Sequence, residues 1–129
     1  MILGFTGTRK GMTARQKDSL RQMLVELQPE EFHHGDRIGA DSQAHAIVRA
    51  HTKARIIIHP PNKDRYRAFC DGDKTRAAKE YISRNHDIVE ECDMIVAAPE
   101  KWRDELRSGT WATVRYARAK NVTVAILEP

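Results

Sequence analysis

The chain has 129 residues, 40% hydrophobic and 31% charged, the balance of a globular protein with length for one core and not two. A formal net charge of +4 and an isoelectric point near 9.3 favour anionic partners without choosing among nucleotide, nucleic acid and phosphorylated metabolite. No apolar run is long enough to span a membrane, no basic-flanked leader opens the chain, and Cys70 and Cys92 lack C-x-x-C spacing, so a cytoplasmic setting with reduced thiols is expected and a disulfide framework is not.

Taken in order, Ile2, Leu3 and Phe5 form a short apolar run suited to a strand covered on both faces, running into the small-residue loop Thr6-Gly7-Thr8-Arg9. Backbone N–H groups freed by such a turn, with two threonine hydroxyls and a guanidinium, make an anion cradle. The alternative is a plain tight turn, since neither G-x-G-x-x-G nor the Walker pattern is present. Thr13 and Gln16 have capping-box spacing, and Leu20, Met23, Leu24 and Leu27 give the helix after them one apolar face. A second strand is expected over Glu31 to His34, followed by the loop Gly35-Asp36-Arg37-Ile38-Gly39. Its helix runs from about Ala40 to Lys53, with Ala40, Ala44, Ile47, Val48 and His51 on one face.

Arg55 to His59 is β-branched throughout its centre, as a buried parallel strand should be, and Pro60-Pro61 ends it. Residues 62 to 79 are polar and aperiodic, and read as a functional flap; its Lys63, Arg65, Arg67, Lys74 and Arg76 either close over a polyanion or face solvent. A helix is expected up to Glu91, packing through Tyr81, Ile82, Ile88, Val89 and Cys92. Met94 to Ala98 is a fourth strand, and a charged loop leads to Ser108-Gly109-Thr110-Trp111, a helix entrance with free N–H groups. That helix runs to about Lys120, and Val122 to Leu127 is the last strand.

Five strands alternating with four helices, without hairpin signals, predict an α/β fold: a Rossmann-like three-layer sandwich on a parallel five-stranded sheet of order 3-2-1-4-5. Strands one and four are then neighbours, and the crevice above them is the expected ligand position. Within it Arg9 offers a bidentate fork to phosphate. Asp36 and Asp41 either hydrogen-bond ribose and activate water, or make a turn and complement a helix dipole. His59 either reaches the ligand or ends its strand, Arg84 and Asn85 would point into the crevice, and Trp111 either stacks on a base or packs in the core. His33, His34, Asp41 and His45 raise a metal, but adjacent strand residues face opposite sides of a sheet, so no metal is expected.

Gly4-Phe5-Thr6-Gly7-Thr8-Arg9, His34-Gly35-Asp36 with Gly39-Ala40-Asp41, His59-Pro60-Pro61, Arg84-Asn85 and Ser108-Gly109-Thr110-Trp111, together and in this order, resemble the SLOG superfamily. That Rossmann-like group includes the LOG phosphoribohydrolases and the DNA-processing protein A family. The resemblance spans essentially the whole chain and implies a nucleotide-derived ligand at those loops, no further cofactor, and a homodimer. Gly7, Thr8 and Arg9 match the first glycine-rich loop, Gly35, Asp36, Gly39 and Asp41 the second, and Ser108, Gly109 and Thr110 the third. The LOG signature Pro-Gly-Gly-x-Gly-Thr-x-x-Glu ends on a catalytic carboxylate, and here Thr113 stands at that point.

The expectation is therefore a binder of an ADP-ribose or cyclic ADP-ribose type molecule, acting as a sensor or as a sequestering sponge in phage or prokaryotic immunity. The alternatives are hydrolysis of an N-glycosidic or phosphate bond, with Asp36 or Asp41 as base or Glu100 or Glu105 standing in for the missing carboxylate, and single-stranded nucleic-acid binding. Scattered basic residues and sparse aromatics weigh against nucleic acid.

Overall fold

Strand residues alternate between two apolar layers, and this alternation sets the architecture. In the computed structural model, which describes residues 1–129, six parallel strands form one sheet: β1 (Ile2–Gly7), β2 (Glu31–His34), β3 (Arg55–Ile58), β4 (Lys74–Thr75), β5 (Met94–Ala98) and β6 (Thr123–Ile126). Their order is β4-β3-β2-β1-β5-β6. The expected order holds for the five longer strands, and the two-residue β4 is an additional edge beside β3.

Leu3, Phe5, Phe32, Ile56, Ile58, Val96 and Ala98 point to the face covered by α1 (Ala14–Leu27) and α2 (Ala40–His51), where Leu20, Leu24, Ala44 and Val48 complete the larger core. Each aliphatic side chain fully buried there contributes about 1.5–3 kcal/mol. On the opposite face Ile95 meets Ile88, Val89 and Cys92 of α3 (Tyr81–Glu91) and Ala117 of α4 (Gly109–Ala119). Ala97 meets Trp111 and Val114 of α4. The capping box of α1 forms as expected: the Thr13 hydroxyl accepts from the Gln16 amide, and the Gln16 side chain accepts from the Thr13 amide. Buried Gln16 also donates to the Pro99 and Leu127 carbonyls, which ties the end of β5 to the chain after β6.

Residues 62 to 79 are held to the body of the fold at two points. The Asp36 carboxylate, fully buried, accepts from the Arg67 guanidinium at 2.9 Å and from the Cys70 amide at 2.9 Å, and the Asp36 carbonyl takes the Ala68 amide. A second latch is Asp73, whose side chain accepts from the Ile56 amide and from Arg49. Tyr81 and Ile82, expected to pack, are exposed on the first turn of α3. That turn stands clear of the sheet, and α3 packs through Ile88 and Val89.

Candidate functional site

Above the carboxyl ends of β1 and β5 lies a cleft of about 480 Å³, lined by Gly7 to Lys10, Arg37, Tyr81, Glu100, Glu105 and Arg107 to Thr110. Its position follows from the reversal of strand order between β1 and β5, where diverging loops leave a crevice. The first and third predicted loops therefore face each other across it.

On the α4 side, Ser108 is the N-cap, and its hydroxyl accepts from the Trp111 amide at 3.1 Å. The Gly109 and Thr110 amides donate to no protein group, so two N–H groups at the positive end of an 11-residue helix open into the cleft. On the β1 side, the Thr8 amide is taken by the Ala98 carbonyl, and the Thr8 hydroxyl accepts from Lys10. Lys10 pairs with Glu100 at 3.0 Å, which leaves Arg9, Arg37 and Arg107 as cations without a carboxylate partner. Four cationic side chains against two carboxylates give the cleft a positive field that suits an anion.

Gly35, Asp36, Gly39 and Asp41 do not form a second anion loop. The Ala40 amide at the start of α2 donates to the Thr8 carbonyl at 3.0 Å, so this helix terminus holds the first loop in place of a ligand. Asp36 holds residues 67 to 70 and is shut away from the cleft. Asp41 lies beneath the cleft floor, beside a space of about 20 Å³ lined also by Thr6, Gly7, Gly35, Arg37, Arg84, Asn85 and Thr110, room for about one water. Burial pushes the Asp41 carboxyl up to about 6, against the opposing effect of the Arg84 charge. Arg84 acts as a strut: its guanidinium donates to the Gly35 carbonyl at 2.5 Å, the His59 carbonyl at 3.2 Å and the Asn85 side chain at 2.7 Å. Burial holds its pKa below the usual arginine value.

Two further residues leave the predicted site. His59 is 2% exposed, with its ring against His33 on the α3 side of the sheet. Trp111 is 6% exposed, packs on Ala97 and Val114, and donates its indole N–H to the Lys101 carbonyl, so it is core and not a stacking platform. Thr113 bonds back to the Gly109 carbonyl at 3.0 Å, so no carboxylate occupies that turn of α4. Lys10, Arg37, Tyr81 and Arg107 were missed as lining residues. Arg37 lies inside the predicted second loop and Arg107 directly precedes Ser108, and that placement was the available signal.

Four of the six histidines form two separate groups on opposite faces, as strand alternation requires. In the first, the Asp36 amide donates to His34 Nδ1, so His34 carries its proton on Nε2 and donates to His45 Nδ1 at 3.0 Å. Cys70 completes a trio of potential ligands, but a metal on His34 Nε2 would require that ring to lose both protons. Burial holds His34 at about 3 and raises the Cys70 thiol to about 12. In the second group, Glu31 accepts from His33 Nε2, and His33 Nδ1 meets His59 Nε2 at 2.8 Å; Glu91 faces the other nitrogen of His59 at 3.9 Å. His33 and His59 are hydrogen-bonded to each other, Glu91 stands beyond hydrogen-bond distance, and the three offer ligand atoms within 4.8 Å of one another.

The sequence matches no family model and no curated protein. The fold is shared with several solved structures of low sequence identity. A structure of the molybdenum cofactor binding protein from Rippkaea orientalis aligns with a TM-score of 0.73 at 18% identity, over 97% of this chain and 74% of that one. The molybdenum cofactor carrier protein from Chlamydomonas reinhardtii aligns with a TM-score of 0.68 at 17% identity, over 97% and 74%. The structural-genomics target TM1055 aligns with a TM-score of 0.70 at 14% identity, over 95% and 71%. No helix is long and apolar enough to cross a membrane.

Proposed function

We propose that the cleft binds a phosphorylated small molecule and holds it intact. The observation that carries this reading is the pair of unpartnered Gly109 and Thr110 amides facing the Arg9 loop across a cleft richer in cations than in carboxylates. Phosphate oxygens would accept from those amides and from the Thr8, Ser108 and Thr110 hydroxyls, with Arg9 completing the charge. Within that class we favour the nucleotide-derived ligands implied by the SLOG resemblance, ADP-ribose and its cyclic isomers among them. The chain then serves as a cytoplasmic, homodimeric sensor or sponge.

Molybdenum cofactor, the ligand of two of the similar structures, belongs on the same panel as cargo. The amides and arginines suit any phosphorylated ring, whereas no thiol or imidazole lines the cleft to hold a metal.

A second reading is hydrolysis. Glu100 and Glu105 line the cleft, and Asp41 borders the one-water space under its floor with a carboxyl raised towards neutrality. Asp36 is withdrawn as a base, since both its oxygens are engaged.

Heating the purified protein and analysing released small molecules by mass spectrometry separates these readings, repeated after incubation with NAD, ADP-ribose, its cyclic isomers and molybdenum cofactor. Intact ligand in near-equal amount to protein, lost in Arg9→Ala, is the expected result. Conversion of a panel member to free base or a shortened nucleotide would establish the hydrolase instead.

A further inference from the structure

Beyond the cleft, at its flap side, three arginines from three different segments converge on one ring. The guanidinium carbons of Arg9, Arg37 and Arg65 lie 5.2, 5.7 and 5.1 Å from the centroid of Tyr66. None is within ion-pair distance of a carboxylate, although every other arginine of the flap region has one: Arg67 holds Asp36 and Arg76 holds Glu91. Attraction of each cation to the ring is weak at an exposed site and is opposed by repulsion among the three. The arrangement is nevertheless built. Tyr66 sits in the 3₁₀ turn Asp64–Tyr66, its carbonyl accepts the Ile38 amide at 2.9 Å, and Arg37 pairs antiparallel with Arg67. The Asp36 latch fixes the next residues of that turn.

A cluster of guanidinium forks around a fixed ring, with no carboxylate partner, is a site for an anion. Arg9 and Arg37 belong to both the cluster and the cleft lining, so the two sites adjoin. We infer that Arg65 and Tyr66, with Arg9 and Arg37, form a second anion subsite, and that the ligand class carries at least two linked or neighbouring anionic groups. One lies at the Gly109 and Thr110 amides and the next lies among the arginines around Tyr66. This rests on the cleft reading proposed above, and it selects oligophosphate or bis-phosphorylated ligands over monophosphates.

The test uses calorimetric titration of the full chain with inorganic phosphate and with tripolyphosphate, at 0.15 M salt so that diffuse attraction is screened. Wild type should prefer tripolyphosphate. Arg65→Ala and Tyr66→Ala should reduce that preference roughly tenfold while phosphate affinity stays level, as loss of a charge-assisted contact predicts. Tyr66→Phe keeps the ring and should behave as wild type. Arg118→Ala, at the far end of α4, removes the same charge and should change neither affinity. An unchanged tripolyphosphate-to-phosphate ratio in Arg65→Ala, or an equal fall in Arg118→Ala, overturns the subsite and leaves the cleft reading standing. Failure of wild type to bind either probe overturns both.

Discussion

Gly39 and Arg9 touch backbone to backbone: a β-carbon on Gly39 would collide with the Arg9 carbonyl oxygen, and Gly39 itself adopts φ +104, in the region that disfavours L side chains. The second glycine-rich loop thus serves as the mould for the first. Gly7 is held in the same way, since a β-carbon there would lie 2.5 Å from that of Ala40. Gly39→Ala should destabilise the fold by at least about 2 kcal/mol, the combined cost of backbone strain and overlap. Urea unfolding measures it, and a variant as stable as wild type would show that the first loop can move away freely.

Gly109 is different in kind. A β-carbon there would meet only the Tyr81 ring at 3.7 Å, an ordinary contact, and its φ is not in the left-handed region. The protein alone gives no reason for glycine at the first position of α4. Gly109→Ala should leave stability level or raise it by about 0.5–1 kcal/mol through helix propensity. Phosphate binding should fall at least tenfold, because the methyl group crowds the free amides. Calorimetry and thermal melts on the same variant check both halves. Undiminished binding would move the ligand away from the helix terminus.

Asp36 makes a third prediction. Its carboxylate is 0% exposed and binds Arg67 and the Cys70 amide together. Asp36→Ala should cost about 2–3 kcal/mol, below the full price of a broken buried pair because Arg67 is 21% exposed and can be rehydrated. It should also release residues 62 to 73, seen as cleavage there by a low concentration of protease. Cleavage no faster than wild type would mean that β4 and Asp73 suffice to hold the segment.

The repeating strand, loop and helix pattern was legible because the apolar periods of Leu20 to Leu27 and Ile56 to Ile58 change with the element that they form. Strand β4 was hidden: Lys74 and Thr75 carry no apolar signal, and their pairing with Ile57 and Ile58 is imposed by the Asp73 latch, a contact distant in sequence. The helix entrance at Ser108 to Thr110 was legible because the cap and the small residues stand together in the sequence, and the structure sets all three in the cleft lining. Trp111 and Asp36 each kept two readings because the direction of a side chain from a helix start or a left-handed turn depends on what the rest of the fold leaves open, and the structure buries both. At φ +56 Asp36 turns its carboxylate inward, away from the crevice its neighbours border.

Histidine burial should shape the acid side of the stability curve. His34 and His59 are held at about 3, from an ordinary 6.5, chiefly by burial. Each binds fewer protons folded than unfolded between those values, so its stabilising contribution is whole above about pH 6.5 and is lost as pH falls towards 3. Wild-type stability should fall as pH drops from 6.5 to 4.5, and His59→Gln should flatten part of that fall. Urea midpoints at three pH values test it, and an unchanged slope in the variant would place the acid sensitivity elsewhere.

Asp41 works with the opposite sign. Its carboxyl is raised from 3.8 to about 6 by burial, so the folded chain holds a proton there that the unfolded chain has released. The favourable contribution is whole below about pH 3.8 and is lost as pH rises through 6, which leaves a buried carboxylate at pH 7. Asn at this position keeps an acceptor for the Arg37 amide, which donates to Asp41 at 3.2 Å, and carries no charge. Asp41→Asn should therefore be more stable than wild type at pH 7.5 by about 1–3 kcal/mol, with the gap closing towards pH 4. Measuring the difference between the two proteins cancels the histidine contributions, which both share. A gap independent of pH would show that Asp41 is compensated in the folded chain, with Arg84 as the compensating charge, and would remove it from the hydrolase reading as a proton-holding group.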